Sequence, residues 1–164
     1  KATRWSSSGG GNLDGFDSVS TAGTGQYKVD QVVAEFAYKH KGFSTQHEYH
    51  WKNIEDKTLA AGAPGQDNDL EGFYSQAGYF FNEKWESFPE ELELAARYAW
   101  LTEPNETNLA LDNERKEFTV GANWFFNGHN NKVTLDYSKL SIEDGTLAQS
   151  QSDNRVRLQW DVSF

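Results

Sequence analysis

The chain has 164 residues, of which 37% are apolar and 24% charged, with a net charge of −10 at pH 7 and a mean hydropathy of −0.79. A spanning helix needs roughly 20 consecutive apolar residues; the longest run, Ala77-Gly78-Tyr79-Phe80-Phe81, stops at five, which excludes a helical membrane protein. An aromatic content of 15% argues against disorder, the absence of Cys removes disulfides and thiol chemistry, and the acidic balance opposes a nucleic-acid partner.

Along the chain the dominant pattern is an alternation of period two. Over 27–39, Val32, Ala34, Phe36 and Tyr38 oppose Gln31, Val33, Glu35 and Ala37. Over 42–53, Phe43, Thr45, His47, Tyr49 and Trp51 oppose Ser44, Gln46, Glu48, His50 and Lys52. The segment 70–81 has the composition of a strand, but both of its faces carry aromatics and neither is assigned. Over 91–101, Leu92, Leu94, Ala96, Tyr98 and Trp100 oppose Glu91, Glu93, Ala95, Arg97 and Ala99. Over 116–126, Phe118, Val120, Ala122, Trp124 and Phe126 oppose Glu117, Thr119, Gly121 and Asn123. Over 131–141, Val133, Leu135 and Tyr137 oppose Lys132, Thr134, Asp136 and Ser138. Over 153–164, Val156, Leu158, Trp160, Val162 and Phe164 alternate with Arg155, Arg157, Gln159, Asp161 and Ser163. Successive strand side chains point to opposite faces, so each assigned segment has one apolar and one polar face. Helical spacing would scatter the same charges around the whole surface.

The links alternate in length. Short ones join Lys39–Gly42 and Asn127–Asn131, Asn82–Glu90 is intermediate, and long polar ones occupy Trp5–Gln26, Asn53–Asp69, Thr102–Arg115 and Ser141–Asp153. Pro64, Pro89 and Pro104 all fall in these links, as expected where strand ladders need their N–H groups. One-sided strands of about ten residues, with long and short links in turn, predict an all-β antiparallel transmembrane β-barrel whose long loops face outside. Trp51, Trp100, Trp124 and Trp160 stand near the ends of apolar faces, where a lipid-facing aromatic girdle sits. A soluble sandwich or lipocalin-like barrel needs the same alternation, but the preference for aromatics over Ile favours the membrane reading. Seven full strands are counted, and the residues before Trp5 form only a stub. Open edges leave backbone groups unpaired in lipid, so the expectation is the closing part of a larger barrel; a complete eight-stranded barrel with a short first strand is the alternative. The absence of Met agrees with a processed chain or a piece of a longer one.

Leu92-Glu93-Leu94-Ala95-Ala96-Arg97-Tyr98 and Phe118-Thr119-Val120-Gly121-Ala122-Asn123-Trp124-Phe125-Phe126-Asn127 resemble the phosphate-selective porin O and P family. So do Gly72-Phe73-Tyr74-Ser75-Gln76-Ala77-Gly78-Tyr79-Phe80 and the closing Arg155-Val156-Arg157-Leu158-Gln159-Trp160. The resemblance covers about residues 28–164 and matches that family's C-terminal half. It implies a 16-stranded, homotrimeric channel in the bacterial outer membrane, with strands missing from the front. Phosphate channels of that family use ladders of arginine and clusters of lysine; those are not evident in this region.

The lumen-facing candidates are Glu35, Glu48, Glu93, Arg97, Lys132, Asp136, Arg155, Arg157 and Asp161. This mixture of signs predicts a transverse field in a general channel, and the acidic balance argues against anion selectivity. Phe164, an aromatic end to an alternating strand, is read as the signal for the outer-membrane assembly machinery. Lipids and lipopolysaccharide are the other expected partners. No cofactor and no metal are expected. His47-Glu48-Tyr49-His50 places its histidines on opposite faces of a strand, unlike the i, i+4 helical zinc motif. Gln66-Asp67-Asn68-Asp69-Leu70-Glu71-Gly72 starts like a calcium loop but lacks the twelve-residue pattern, and Gly9-Gly10-Gly11 has no phosphate-loop lysine. Glu90, Glu91 and Glu93 lack a substrate cleft and an acid partner. No catalytic constellation is present. The reading is therefore a passive channel, with a small plugged barrel as the alternative.

Overall fold

The computed structural model describes residues 27–57, 63, 67–105, 111–128, 130–145 and 149–163. The expected stub before Trp5, Gly9–Gly11 and the expected signal at Phe164 lie outside them. Seven strands form one antiparallel sheet in simple chain order: β1 (Tyr27–His40), β2 (Phe43–Asp56), β3 (Asp67–Phe80), β4 (Leu92–Pro104), β5 (Asp112–Phe125), β6 (Asn131–Asp144) and β7 (Gln149–Val162). Each strand pairs with the next, and no pairing joins β1 to β7, so the sheet is open at both edges among the described residues. No α-helix occurs there; a single 3-10 turn, Phe81–Glu83, follows β3.

The alternation of the sequence becomes two faces of the sheet. In one register row Glu35 stands opposite Glu48, Glu48 opposite Tyr74, and Tyr74 opposite Ala99; the adjacent row carries Phe36, His47, Ser75 and Tyr98. The register also assigns the two faces of β3. Tyr74, Gln76 and Gly78 share the polar face with Glu48 and Arg97, whereas Phe73, Ala77 and Tyr79 share the apolar face with Tyr49 and Trp100. A trough of about 620 Å³ on the polar side is lined by residues of all seven strands, from Ala37 on β1 to Arg157 on β7. The sheet therefore curls toward its polar face. There is almost no conventional core: the one buried hydrophobic side chain among the described residues is Ile54, while Val156, Leu158 and Trp160 are 70–72% exposed.

Strand ends differ from the sequence expectation on the side of the long links. β5 starts at Asp112 rather than 116, β6 runs to Asp144 rather than 141, and β7 starts at Gln149 rather than 153. Apart from Ile142 on β6, both faces are polar there, so the ladder continues where alternation has already vanished. Pro104 is the last residue of β4 rather than part of a link, which costs nothing where a strand terminates.

The apolar stretch crosses the sheet obliquely. Coming from the long links, its first residues are Val32, Trp51, Phe73, Trp100, Phe118, Tyr137 and Val156 on successive strands. Val156 lies in the register row that runs through Tyr137, Val120, Ala96, Ala77 and Thr45 to Tyr38. The boundary has thus moved from position 32 to position 38 of β1, six residues in six steps between strands. One residue of about 3.3 Å per strand spacing of about 4.8 Å corresponds to strands tilted by about 35° from the normal to the apolar band. Strands of transmembrane barrels are tilted by this amount.

The β1–β2 connection is a two-residue loop in which Lys41 and Gly42 have φ of 44° and 74°. Positive φ at both central positions is the type I′ pattern, whose twist matches the flanking strands. A side chain at Gly42 would also meet Glu83 and the Phe80 carbonyl oxygen, the latter at 3.1 Å, and Phe80 N–H donates to Gly42 O at 3.0 Å. Gly42→Ala is expected to destabilise the fold by about 1–2 kcal/mol, read as a lower urea midpoint in phospholipid vesicles. An unchanged midpoint would show that the turn carries no such constraint.

Candidate functional site

The concave polar face is the candidate site. All nine charged residues singled out from the sequence, Glu35, Glu48, Glu93, Arg97, Lys132, Asp136, Arg155, Arg157 and Asp161, lie on it. They do not act as nine separate charges, because neighbouring strands bring most of them to partners.

On β5–β7 the cations are neutralised locally. Arg157 donates through Nε and Nη2 to Asp136 Oδ2 at 2.9 and 2.7 Å. Asp136 is only 4% exposed, and Gly121 stands opposite it in the ladder. A Cβ at Gly121 would lie 3.2 Å from both Asp136 Cβ and Leu135 O, so the bare backbone leaves the carboxylate room to lie against the sheet. Arg155 reaches across β6: its Nη2 donates to Ser138 Oγ at 3.1 Å and to Glu117 Oε1, two strands away, at 2.7 Å. Thr119 completes this group, with its hydroxyl donating to Glu117 at 2.9 Å and lying 2.8 Å from the Ser138 hydroxyl. Lys132 and Asp161 form a looser pair at 3.7 Å. The partly exposed pairs Arg155–Glu117 and Lys132–Asp161 contribute roughly 0.2–1 kcal/mol each; the larger effect of all three pairs is on the field along the face.

On β2–β4 the arrangement differs. Glu48 accepts hydrogen bonds from the Tyr74 hydroxyl, from Gln46 at 3.0 Å and, with the ring proton on Nε2, from His50 at 3.1 Å. Gln76 donates to Gln46 at 3.2 Å and extends the network toward β4. Arg97 lies over the Tyr74 ring, 4.6 Å from its centroid, a cation–π arrangement. No ion pair fixes Arg97 or Glu35 among the described residues. Glu93 accepts from Asn123 at 2.8 Å and, across Gly78, from Ser44 at 3.5 Å. Tyr74 and Gln76 were missed because β3 shows no clean alternation. Glu117 and Ser138 were missed because only the register reveals which residues Arg155 can reach.

The four tryptophans lie on the opposite, apolar face, Trp51 and Trp100 at its long-link boundary and Trp124 and Trp160 toward the short links. His47 is also on that face, 2.9 Å from the Thr45 hydroxyl, whereas His50 is on the polar one. Among the described residues no group of three or more His, Cys, Asp or Glu side chains could hold a metal ion. Beyond the apolar band, Lys28 Nζ donates to Asp30 at 2.6 Å. That hydrogen bond, followed by the charge of Asp30, raises the Lys28 pKa above its ordinary value.

The family model for phosphate-selective porin O and P matches residues 3–164. No curated protein and no solved structure matches the chain. The family is one of channels rather than enzymes, and it implies a protein of the bacterial outer membrane. The match includes all seven strands and every charged residue of the concave face, and on this ground the chain belongs to the phosphate-selective porin O and P family.

Proposed function

We propose that the sheet is part of the wall of a water-filled channel through which small hydrophilic solutes cross the bacterial outer membrane by passive diffusion. The concave polar face lines the lumen and the apolar face meets lipid. The observation that carries this reading is the segregation of charge onto the concave face of a sheet whose apolar band is inclined by one residue per strand. Closure into a barrel of 16 strands uses partners for the open edges of β1 and β7, since unpaired strand edges are not tolerated in lipid.

The surroundings follow from the same placement. Trp51, Phe73, Trp100, Phe118 and Tyr137 mark the outer lipid boundary, with Trp124 and Trp160 toward the inner one. Above the outer boundary the apolar face gives way to Glu55, Asp67, Asp69, Glu71, Glu114 and Glu143, a rim suited to lipopolysaccharide through divalent cations. Within the band, Thr45, His47 and Ser75 interrupt the apolar surface of β2 and β3. A second copy of the chain, in a homotrimer, covers these polar groups better than acyl chains do. Phe164 keeps its assignment as the assembly signal, and deletion of that residue is expected to lower the membrane yield.

Planar-bilayer recordings test the channel and the trimer together. Stepwise conductance in three equal levels per insertion is expected; a single level contradicts the trimer, and silence contradicts the channel. The plugged-barrel reading draws on the Arg157–Asp136 and Arg155–Glu117 pairs, and silence is its expected result.

Because Arg155, Arg157 and Lys132 are each matched by a carboxylate, this wall carries no net-positive filter, and its lumen should not select anions. Arg97, stacked but not ion-paired, supplies the main positive point on β4. Arg97→Gln is expected to shift the reversal potential in a salt gradient by several millivolts toward cation preference. Strong anion selectivity in the parent, or no shift in the variant, would contradict this account of the field.

A further inference from the structure

The β3–β4 link is built unlike the other short connections. Phe81 continues the apolar face: its ring meets Tyr79 edge-on at 4.9 Å, and it lines a hollow on that face together with Phe43, Tyr79 and Leu94. Trp85 then stacks on Phe81 at 5.6 Å with the rings nearly parallel, and Phe88 packs against both, 5.5 Å from Phe81 and 6.0 Å from Trp85. Successive turns hold this cluster in shape. Trp85 N–H donates to Phe81 O at 2.9 Å, Phe88 N–H to Trp85 O at 3.0 Å, and Leu92 N–H to Pro89 O at 3.2 Å. Lys84 Nζ sits 5.0 Å from the centre of the Trp85 ring. The neighbouring Phe80 turns the other way and packs on Phe125 at 5.5 Å. The cluster therefore extends the apolar band past the ends of the strands, on the outside of the curl.

Trp85 is still 46% exposed and Phe88 37%. Rings presenting an apolar body beside charged groups suit the boundary between acyl chains and headgroups. The flanking charges are Glu83, Glu86, Glu90 and Glu91 against the single Lys84, a balance that disfavours an anionic surface and suits zwitterionic headgroups. We propose that the Phe81–Trp85–Phe88 cluster is an interfacial anchor that lies in the headgroup zone of a zwitterionic phospholipid leaflet and fixes the depth of this side of the wall. The link is then a lipid contact in its own right and not merely a turn. This inference rests on the placement of the apolar face in lipid.

The absence of native cysteine allows each position to be labelled singly. Phe88→Cys and, as a strand control, Val120→Cys are coupled to an environment-sensitive fluorophore and reconstituted in phosphatidylcholine vesicles, with or without lipid brominated near the headgroup. Bromolipid is expected to quench the label at 88 at least half as strongly as the label at 120, with aqueous iodide quenching it weakly. If the label at 120 is quenched and that at 88 is indifferent to bromolipid, the anchor is overturned, whether iodide reaches the label (a link in water) or does not (a link under protein). If neither label responds to bromolipid, the lipid placement of the whole face fails. As an independent readout, Trp85→Gln should reduce quenching at 88 at least twofold while leaving that at 120 unchanged; equal quenching at 88 in this variant counts against the anchor.

Discussion

Hydrogen bonding between neighbouring strands is the constraint on which the remaining features of this protein depend. Six antiparallel ladders along seven strands of 13–14 residues pair the backbone, with no α-helix and no packed core among the described residues. In a bilayer a sheet closed on itself is one of only two ways to satisfy every peptide group, and these ladders supply that pairing everywhere except at the outer edges of β1 and β7. It also explains why the chain survives with a single buried hydrophobic side chain among its described residues. Burial of apolar area by protein is not what holds the sheet together. The apolar face is left without protein cover among the described residues, and the ladder determines which polar side chains become neighbours on the other face.

That second consequence gives the concave face its character. Sequence distance says nothing about Arg155 and Glu117, yet the ladder places them two strands apart with Ser138 between them. Arg157 and Asp136 are direct partners in the register, over a glycine that leaves room for the carboxylate. Most cations on β5–β7 are thereby matched, and the field that remains comes from Arg97 on its tyrosine and from carboxylates such as Glu35. A family described by phosphate selectivity thus contains, in this chain, a polar face on which most cations of β5–β7 are matched by carboxylates.

The sequence was most legible where one face met apolar surroundings and the other water. The middles of β4, β5 and β7 follow directly from alternation, and so do the faces of the nine charged residues and four tryptophans. Legibility failed where that contrast disappears. Residues 112–115 and 149–152 are polar on both faces, so the strands run on unseen. In β3, Phe73 with Tyr74 and Tyr79 with Phe80 put aromatics on both sides, and only pairing with β2 and β4 separates them. The Phe81–Trp85–Phe88 cluster was invisible for another reason: it depends on consecutive turns, which carry no periodic signal.

The central claim is that the two faces of this sheet meet lipid and water respectively, and a single-cysteine spin-label scan over residues 116–126 in reconstituted vesicles tests it most directly. Collision rates with oxygen and with a water-soluble nickel chelate are predicted to oscillate with period two and opposite phase. Phe118, Val120, Ala122 and Trp124 should favour oxygen, whereas Glu117, Thr119, Gly121 and Asn123 should favour nickel. Equal nickel access on both sets, or protection of the even-numbered set from both reagents, would contradict it.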